Sequence, residues 1–255
     1  MIRDTFKEKA VFDRFCESAA SYIPSAIKKL DNKEIREERI GAVEYDIIRT
    51  AAQLITAHYS SGSRIEELSL EIRRVVGYIE RYWKPEQTKV TAKVGKKFEL
   101  WDQYMVGPYE YFLHILSLAY LLNVPDKEFQ VLINIIDRDN ISDNLYEFII
   151  KARFPQRDQN RAEEYSQDKS IILKVYKNLR AATQKQDKAE AAKLVKRYLE
   201  KDFYHKHANF YNAHNSRHEI YYGYWSFESA AVTAIMGLDD SSFRENQYYP
   251  KDLSN

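Results

Sequence analysis

YEYFLHILSLAYLLNV, residues 109–124, is apolar nearly all the way round a helical wheel. A helix of that kind has no face to give to water, so it belongs at the centre of a bundle. It is too short and too interrupted to cross a bilayer. The chain on either side supplies what would cover it. Residues 35–59 repeat apolar side chains at three- and four-residue steps, at Ile40, Val43, Ile47, Ala51, Leu54 and Ile55, the spacing of one helix face. SSGS (60–63) interrupts the run. Ser63 then reads as the N-cap of RIEELSLEIRRVVGYIERYW, with Glu66 in the capping-box position and Pro85 closing the helix. Pro125 and Asp126 open a further helix in VPDKEFQVLINII, and RDNISDNLYEFIIKA holds a shorter one. RFPQRDQNRAEEYSQD (153–168) reads as a polar connection before two amphipathic helices, SIILKVYKNLRAAT and KAEAAKLVKRYLEKDF.

KPEQTKVTAKVGKK (84–97) is polar and basic and reads as a linker. Alternation of period two persists nowhere beyond about four residues, the minimum for a strand. The expected fold is therefore all-α: a multi-helix bundle of about eight to ten helices in two sequential helical sets. Residues 1–97 form the N-terminal helical region with its linker, and residues 98–255 the C-terminal helical region. Only 7 glycines and 6 prolines punctuate 255 residues, which favours long helices with short connections.

Apolar residues make up 44% and charged residues 30% of the chain, an ordinary globular balance with enough length for a large core. The single cysteine, Cys16, allows no internal disulfide and reads as a small buried hydrophobe. The charged N-terminus lacks a signal-peptide core, so the expected location is cytoplasmic, away from membranes. The net charge of +1 hides an uneven distribution. Residues 98–150 hold two basic against nine acidic side chains, and residues 218–255 two against six, whereas residues 151–217 hold sixteen against eight. Solvated helix faces account for such blocks. An acidic surface that receives and steers a basic partner accounts for them too. Direct nucleic-acid binding is not expected, because the basic side chains of 174–206 alternate with Ala, Leu and Val at the spacing of an outer helix face.

Four histidines, His205, His207, His214 and His218, fall close together, and His214 and His218 have the i, i+4 spacing of a metal pair on a helix. They lack an H-E-x-x-H context and a second cysteine, so neither metal nor cofactor is expected. A helical metal-dependent hydrolase built on this cluster is the competing reading, and a helical adaptor a third. No G-x-S-x-G turn or Gly-rich phosphate loop occurs, so no catalytic residue is assigned. Asp239 and Asp240 follow a helix-ending Gly237 and read as caps more readily than as ligands shared with Glu245 or Asp252.

YYGYWSFESAA (221–231) is dense in aromatic rings. Read as the start of the last long helix, it places Ile220, Tyr224, Phe227, Ala231 and Ile235 within about 80° of one another. Glu228 then falls inside the apolar arc, where a carboxylate needs a partner: a Tyr hydroxyl, a His or an Arg. Gly223 reads as a point of close packing.

RHEIYYGYWSFESAAVTAIMGLDDSSFRENQYYPKDL (217–253) resembles the C-terminal hallmark of the PoNi immunity proteins, through Tyr221, Gly223, Tyr224, Trp225, Glu228, Asp239, Asp240, Ser241, Ser242, Tyr248, Tyr249, Pro250, Asp252 and Leu253. AAQLITAHYSSGSRIEELSLEIRRVVGYIERYW (51–83) resembles the N-terminal region of that family. The resemblance implies a cytoplasmic, all-helical antitoxin that binds and neutralises a cognate nuclease toxin, typically a DNase. It carries over no catalytic residue. A DNase offers a cationic groove that carboxylates can fill in place of phosphates. The candidate partner-binding residues are accordingly Glu110, Asp137, Asp139, Asp239 and Asp240.

Overall fold

The computed structural model describes residues 1–158, 174–206, 208, 210–218 and 220–254. Ten α-helices lie among them. They are α1 (Lys9–Asp31), α2 (Glu37–Ser61), α3 (Ile65–Tyr82), the single turn α4 (Pro85–Thr88), α5 (Val106–Leu121), α6 (Asp126–Arg138), α7 (Asn144–Arg153), α8 (Lys177–Thr183), α9 (Lys188–Arg197) and α10 (Phe227–Met236). A π-helical turn, Tyr198–Asp202, prolongs α9. The protein is mostly α-helical, as the sequence leads one to expect.

Helix α5 is the axis. Phe112, Leu113, Ile115, Leu116, Leu118 and Ala119 are all buried, and the helix packs on α3, α7 and α10. Amphipathic α6 lies along α3, with Phe129, Leu132 and Ile136 turned inward and an Arg73–Glu128 ion pair at 2.6 Å on the outside. One apolar cluster runs through residues of both the N-terminal and C-terminal helices, from Phe12 to Leu253.

Three expectations are corrected by the backbone. Residues 84–97 are not a linker. Pro85 opens α4, and an antiparallel hairpin follows, β1 (Lys89–Val94) and β2 (Lys97–Tyr104), paired through Val94↔Lys97, Lys93↔Phe98 and Thr91↔Leu100. Gly95, at φ +64°, is the first central residue of the two-residue turn, where a II′ hairpin requires a left-handed φ. The hairpin is anchored at its base by buried Lys89, Gln103 and Tyr104. Its far end is in solvent, so no apolar face had to be written into it.

The last helix, in turn, starts at Phe227 and not at Tyr221. Gly223 sits at φ +112°, a conformation no α-helix contains. Residues 221–226 instead run irregularly past the end of α2, and Ser226 N–H donates to Tyr248 O at 2.8 Å. Ile220, placed in the apolar arc by the wheel, is 51% exposed. Gly237 ends α10 in the left-handed conformation, as expected. The start of α3 is shifted by one residue: Glu67, not Glu66, accepts the N-cap N–H, which belongs to Arg64.

Gly223 carries the sharpest local requirement. A Cβ there would lie 2.0 Å from Ser60 Oγ and 2.8 Å from Trp225 Nε1. Gly223→Ala combines a strained φ with overpacking and is expected to cost about 2–5 kcal/mol, read as a lowered urea midpoint. A midpoint within error of wild type would show that the segment can move aside.

Candidate partner-binding site

The hallmark residues are built into a junction at the last turn of α2. The Ser60 hydroxyl lies 2.9 Å from Thr56 O and 2.8 Å from Tyr222 O, and accepts Trp225 Nε1–H at 2.8 Å. Trp225 also meets the Tyr59 ring edge-on, with centroids 4.9 Å apart. The other chain end arrives at the same turn. Arg3 and Asp4 donate their backbone N–H groups to Ser60 O, at 2.9 and 3.2 Å. The Arg3 guanidinium caps Tyr59 O and Ser63 O, stands 4.6 Å over the Tyr59 ring and pairs with Asp252 at 2.5 Å. Asp4 accepts the Tyr221 hydroxyl at 2.6 Å. Tyr249 and Pro250 are buried beside this junction, Tyr249 against Phe243. Tyr221, Gly223, Trp225 and Asp252 thus fasten the C-terminal segment to α2 and the residues before α1, Tyr224 packs on Phe6, and Glu228 turns to Tyr198 instead.

Glu228 lies in the first turn of α10 and is 3% exposed. Of the three partner types considered, a tyrosine is the one present: Tyr198 donates to Oε1 at 2.5 Å, joined by the Ser226 hydroxyl at 2.8 Å. Burial raises the carboxyl above its ordinary range, and the two donors only moderate this. Glu228 borders a chamber of about 60 Å³ shared with Glu110, Tyr111, His114 and Tyr198. The Thr56 hydroxyl donates to Ala52 O at 2.8 Å, so it accepts from His114 Nε2 at 2.9 Å, and His114 is the Nε2–H tautomer. Burial pushes His114 down to about 3. Desolvation therefore favours the neutral form of both Glu228 and His114, and the chamber is a hydrogen-bonded core rather than a charged receptor.

The five carboxylates selected from sequence are not brought together. Asp139 is 1% exposed and accepts Trp83 Nε1–H at 3.1 Å, the Tyr104 hydroxyl at 2.7 Å and Arg138 Nε–H at 2.8 Å. It is an internal anchor for the hairpin base. Asp137 is half exposed and pairs with Arg157 at 2.6 Å. Arg157 also holds Glu147 at 2.8 Å, so two carboxylates share one guanidinium and the group keeps a net negative charge. Asp240 pairs with Arg244 at 2.6 Å. Asp239 is exposed and accepts the Ser241 N–H at 3.0 Å; that hydrogen bond holds its carboxyl below the usual range. Glu110 is half-buried on α5 at the chamber.

The histidines do not share a helix face. His214 lies in a 3₁₀ turn, Ala213–Asn215, with its ring nitrogens against Tyr224 Oη at 2.9 Å and Asn215 Nδ2 at 3.0 Å. His207 lies outside the described residues. Among the described residues no group of three His, Cys, Asp or Glu side chains could hold a metal ion, and no helix is long and apolar enough to cross a membrane. Sequence reasoning missed Arg3, Asp4, Ser60 and Tyr198. Each meets its partner across 30 or more residues, and no local pattern marks such a pair.

A mostly helical protein whose two chain ends are clasped on one internal turn is the class these features define. The solved structure of protein PA2201 from Pseudomonas aeruginosa shares that fold, with a TM-score of 0.67 over 99% of this chain and 90% of that one, at 15% sequence identity. Curated proteins give no match. The family models for PoNe immunity proteins (PoNi) match twice, the N-terminal model over residues 3–134 and the C-terminal model over residues 141–253. The chain belongs to the PoNe immunity protein family.

Two outcomes follow from the chamber. No cation depends on Glu228 among its described partners, so Glu228→Gln should change the urea midpoint little, whereas Glu228→Leu strands the Tyr198 and Ser226 hydroxyls and should cost about 1–3 kcal/mol. His114 has the opposite pH signature from a paired histidine. The unfolded imidazole takes a proton below about 6.5 and the folded one only near 3, so its contribution is complete above 6.5 and is lost as pH falls toward 3. His114→Gln should flatten the loss of stability between pH 7 and 4, measured by urea titration at each pH.

Proposed function

We propose that this protein binds a cognate nuclease toxin directly in the cytoplasm, and neutralises it by setting carboxylates where the nuclease would hold DNA phosphates. Family membership across both halves of the chain is the observation that carries the reading. The charge distribution supports it: residues 98–150 and 218–255 are acidic in a chain of net charge +1. Glu110, Asp137, Asp239 and Asp240 reach the surface at least in part and are the proposed contacts. Asp139 acts from beneath, since its oxygens are occupied inside the fold. Asp239 is the best single candidate. It is exposed, it is held ionised by the Ser241 hydrogen bond, and among the described residues no cation pairs with it.

The test is co-expression with the product of the neighbouring gene, which the immunity reading expects to be a nuclease. Rescue from toxicity and co-purification are expected. Asp137→Lys with Asp239→Lys should weaken the complex at least about tenfold and flatten its dependence on salt, while leaving the fold intact. Rescue with unchanged affinity and salt dependence would overturn the acidic face alone. Absence of both rescue and co-purification would overturn the immunity reading.

A further inference from the structure

The hairpin β1–β2 reaches into solvent with apolar side chains that the rest of the fold leaves uncovered. Phe98 is 72% exposed, and Val94, Leu100 and Trp101 are exposed beside it. Among the described residues the sheet has two strands, β1 and β2, so each strand has an open edge. A two-stranded ribbon is marginal in water, and further strands stabilise it. An open edge also invites another strand, unless charge of one sign guards it. β1, KVTAKV, has that guard: two lysines and no carboxylate. β2, KFELWDQY, lacks it, because Lys97, Glu99 and Asp102 mix the signs.

The ladder fixes which backbone groups that edge presents. Val94↔Lys97 closes the two-residue turn and is therefore a hydrogen-bonded pair. Bonding alternates along the ladder, so Lys93↔Phe98 and Thr91↔Leu100 are non-hydrogen-bonded pairs. The N–H and C=O groups of Phe98 and Leu100 consequently point away from β1. A second β2, added antiparallel, must set outward residues against outward residues, which leaves only alternate registers. Phe98 against Leu100 puts Glu99 directly opposite its own copy, a like-charge clash. Leu100 against its own copy draws in Gln103, which is buried at the base. Phe98 against its own copy puts Lys97 opposite Glu99 on both sides, at the non-hydrogen-bonded positions where side chains come closest. Within one hairpin Lys97 faces Val94 and Glu99 faces Ala92, so neither finds its counter-charge across the ladder.

We propose that the β2 edge is a docking surface for a second copy of this chain. The second β2 adds antiparallel, with Phe98 at the twofold axis and Lys97 of each copy opposite Glu99 of the other. The two hairpins become one four-stranded sheet. Phe98 and Leu100 of both copies gather on one face, so rings that a single copy leaves in solvent cover each other. Overlap at the hairpin tips places the bodies of the two copies at opposite ends of the joined ribbon. The pairing is isologous and closed, and a lysine-guarded β1 forms each outer edge. Pairing β1 of one copy with β2 of the next would repeat without end. The seam is small, so the dimer belongs to the weak class, with a dissociation constant of about 10 μM. None of the proposed toxin contacts lies in the hairpin, and the dimer stands or falls apart from them.

Sedimentation equilibrium of the intact chain, from about 1 to 500 μM, reads the mass. It should rise from monomer to dimer and stop there. Lys97→Glu and Glu99→Lys, both at exposed positions, should each weaken the dimer at least about tenfold, because both cross-strand pairs become like-charged. An equimolar mixture of the two variants should regain the dimer, since each then meets the opposite charge at both positions. Circular dichroism and a urea midpoint equal to wild type exclude unfolding as the cause. A mass that stays at monomer throughout overturns the proposal. A dimer that ignores both substitutions, or that the mixture does not restore, is held by another surface and overturns it too. If the chain is monomeric and Phe98→Lys weakens its complex with the nuclease, the edge belongs to that partner and the proposal fails.

Discussion

The last turn of α2 is the constraint around which the two halves close. A helix C-terminus leaves its final carbonyls without intrahelical donors, and here that turn is covered by protein. Ser60 is 0% exposed and Tyr59 1%. The donors come from the beginning of the chain, through Arg3 and Asp4. The flank is closed from its end, by Gly223 and Trp225 against the Ser60 hydroxyl. Neither segment satisfies the turn alone. Leaving a buried polar group unpaired costs about 1–3 kcal/mol, so each segment stabilises the docking of the other. The Tyr221–Asp4 and Asp252–Arg3 contacts then join the two segments directly.

Legibility in the sequence followed the range of the physics involved. The central helix was legible because a wheel apolar on every side has one stable environment, and Glu228 because a carboxylate amid apolar positions must be satisfied wherever it lies. The left-handed stop at Gly237 was legible for the same local reason. The course of residues 221–226 was not. Helical periodicity there is an accident of aromatic density, and the space a side chain at Gly223 would need is filled by Ser60, a residue 163 positions away. The hairpin was hidden differently. Its strands are held by pairing with each other and by Asp139 beneath Tyr104, so their outer faces carry lysines as readily as apolar groups. The candidate contact residues were chosen by charge alone, and charge does not tell an outward carboxylate from one that anchors a tryptophan.

That distinction bears on which carboxylates face solvent unpaired in a chain with 39 basic and 38 acidic side chains. Many of its carboxylates are answered by cations of the same chain at the surface: Asp252 by Arg3, Asp126 by Arg153, Asp31 by Arg81, Glu128 by Arg73. Exposed pairs of this kind contribute little to stability, about 0–1 kcal/mol each. They can exchange partners at small cost when a competing cation arrives. The groups that keep a surplus are those where one guanidinium serves two acids, as Arg157 does for Asp137 and Glu147, and those answered by a backbone N–H, as Asp239 is by Ser241.

The resemblance to the family rests on two kinds of residue, a set buried in the junction and the solvent-facing turn at Asp239–Ser242. Tyr221, Gly223, Tyr224, Trp225, Glu228 and Tyr249 are buried, and their hydrogen bonds and ring contacts are spent within the chain. A buried hallmark fixes the scaffold, since each of its members constrains a partner far away in sequence. On the proposed function, specificity for one nuclease over another requires side chains that differ in contact with solvent, and changes there leave the clasp untouched. The fold therefore separates two demands. The junction at Ser60 holds the helices in one arrangement, and the outer faces that this arrangement displays are where, on the proposed function, a partner is met.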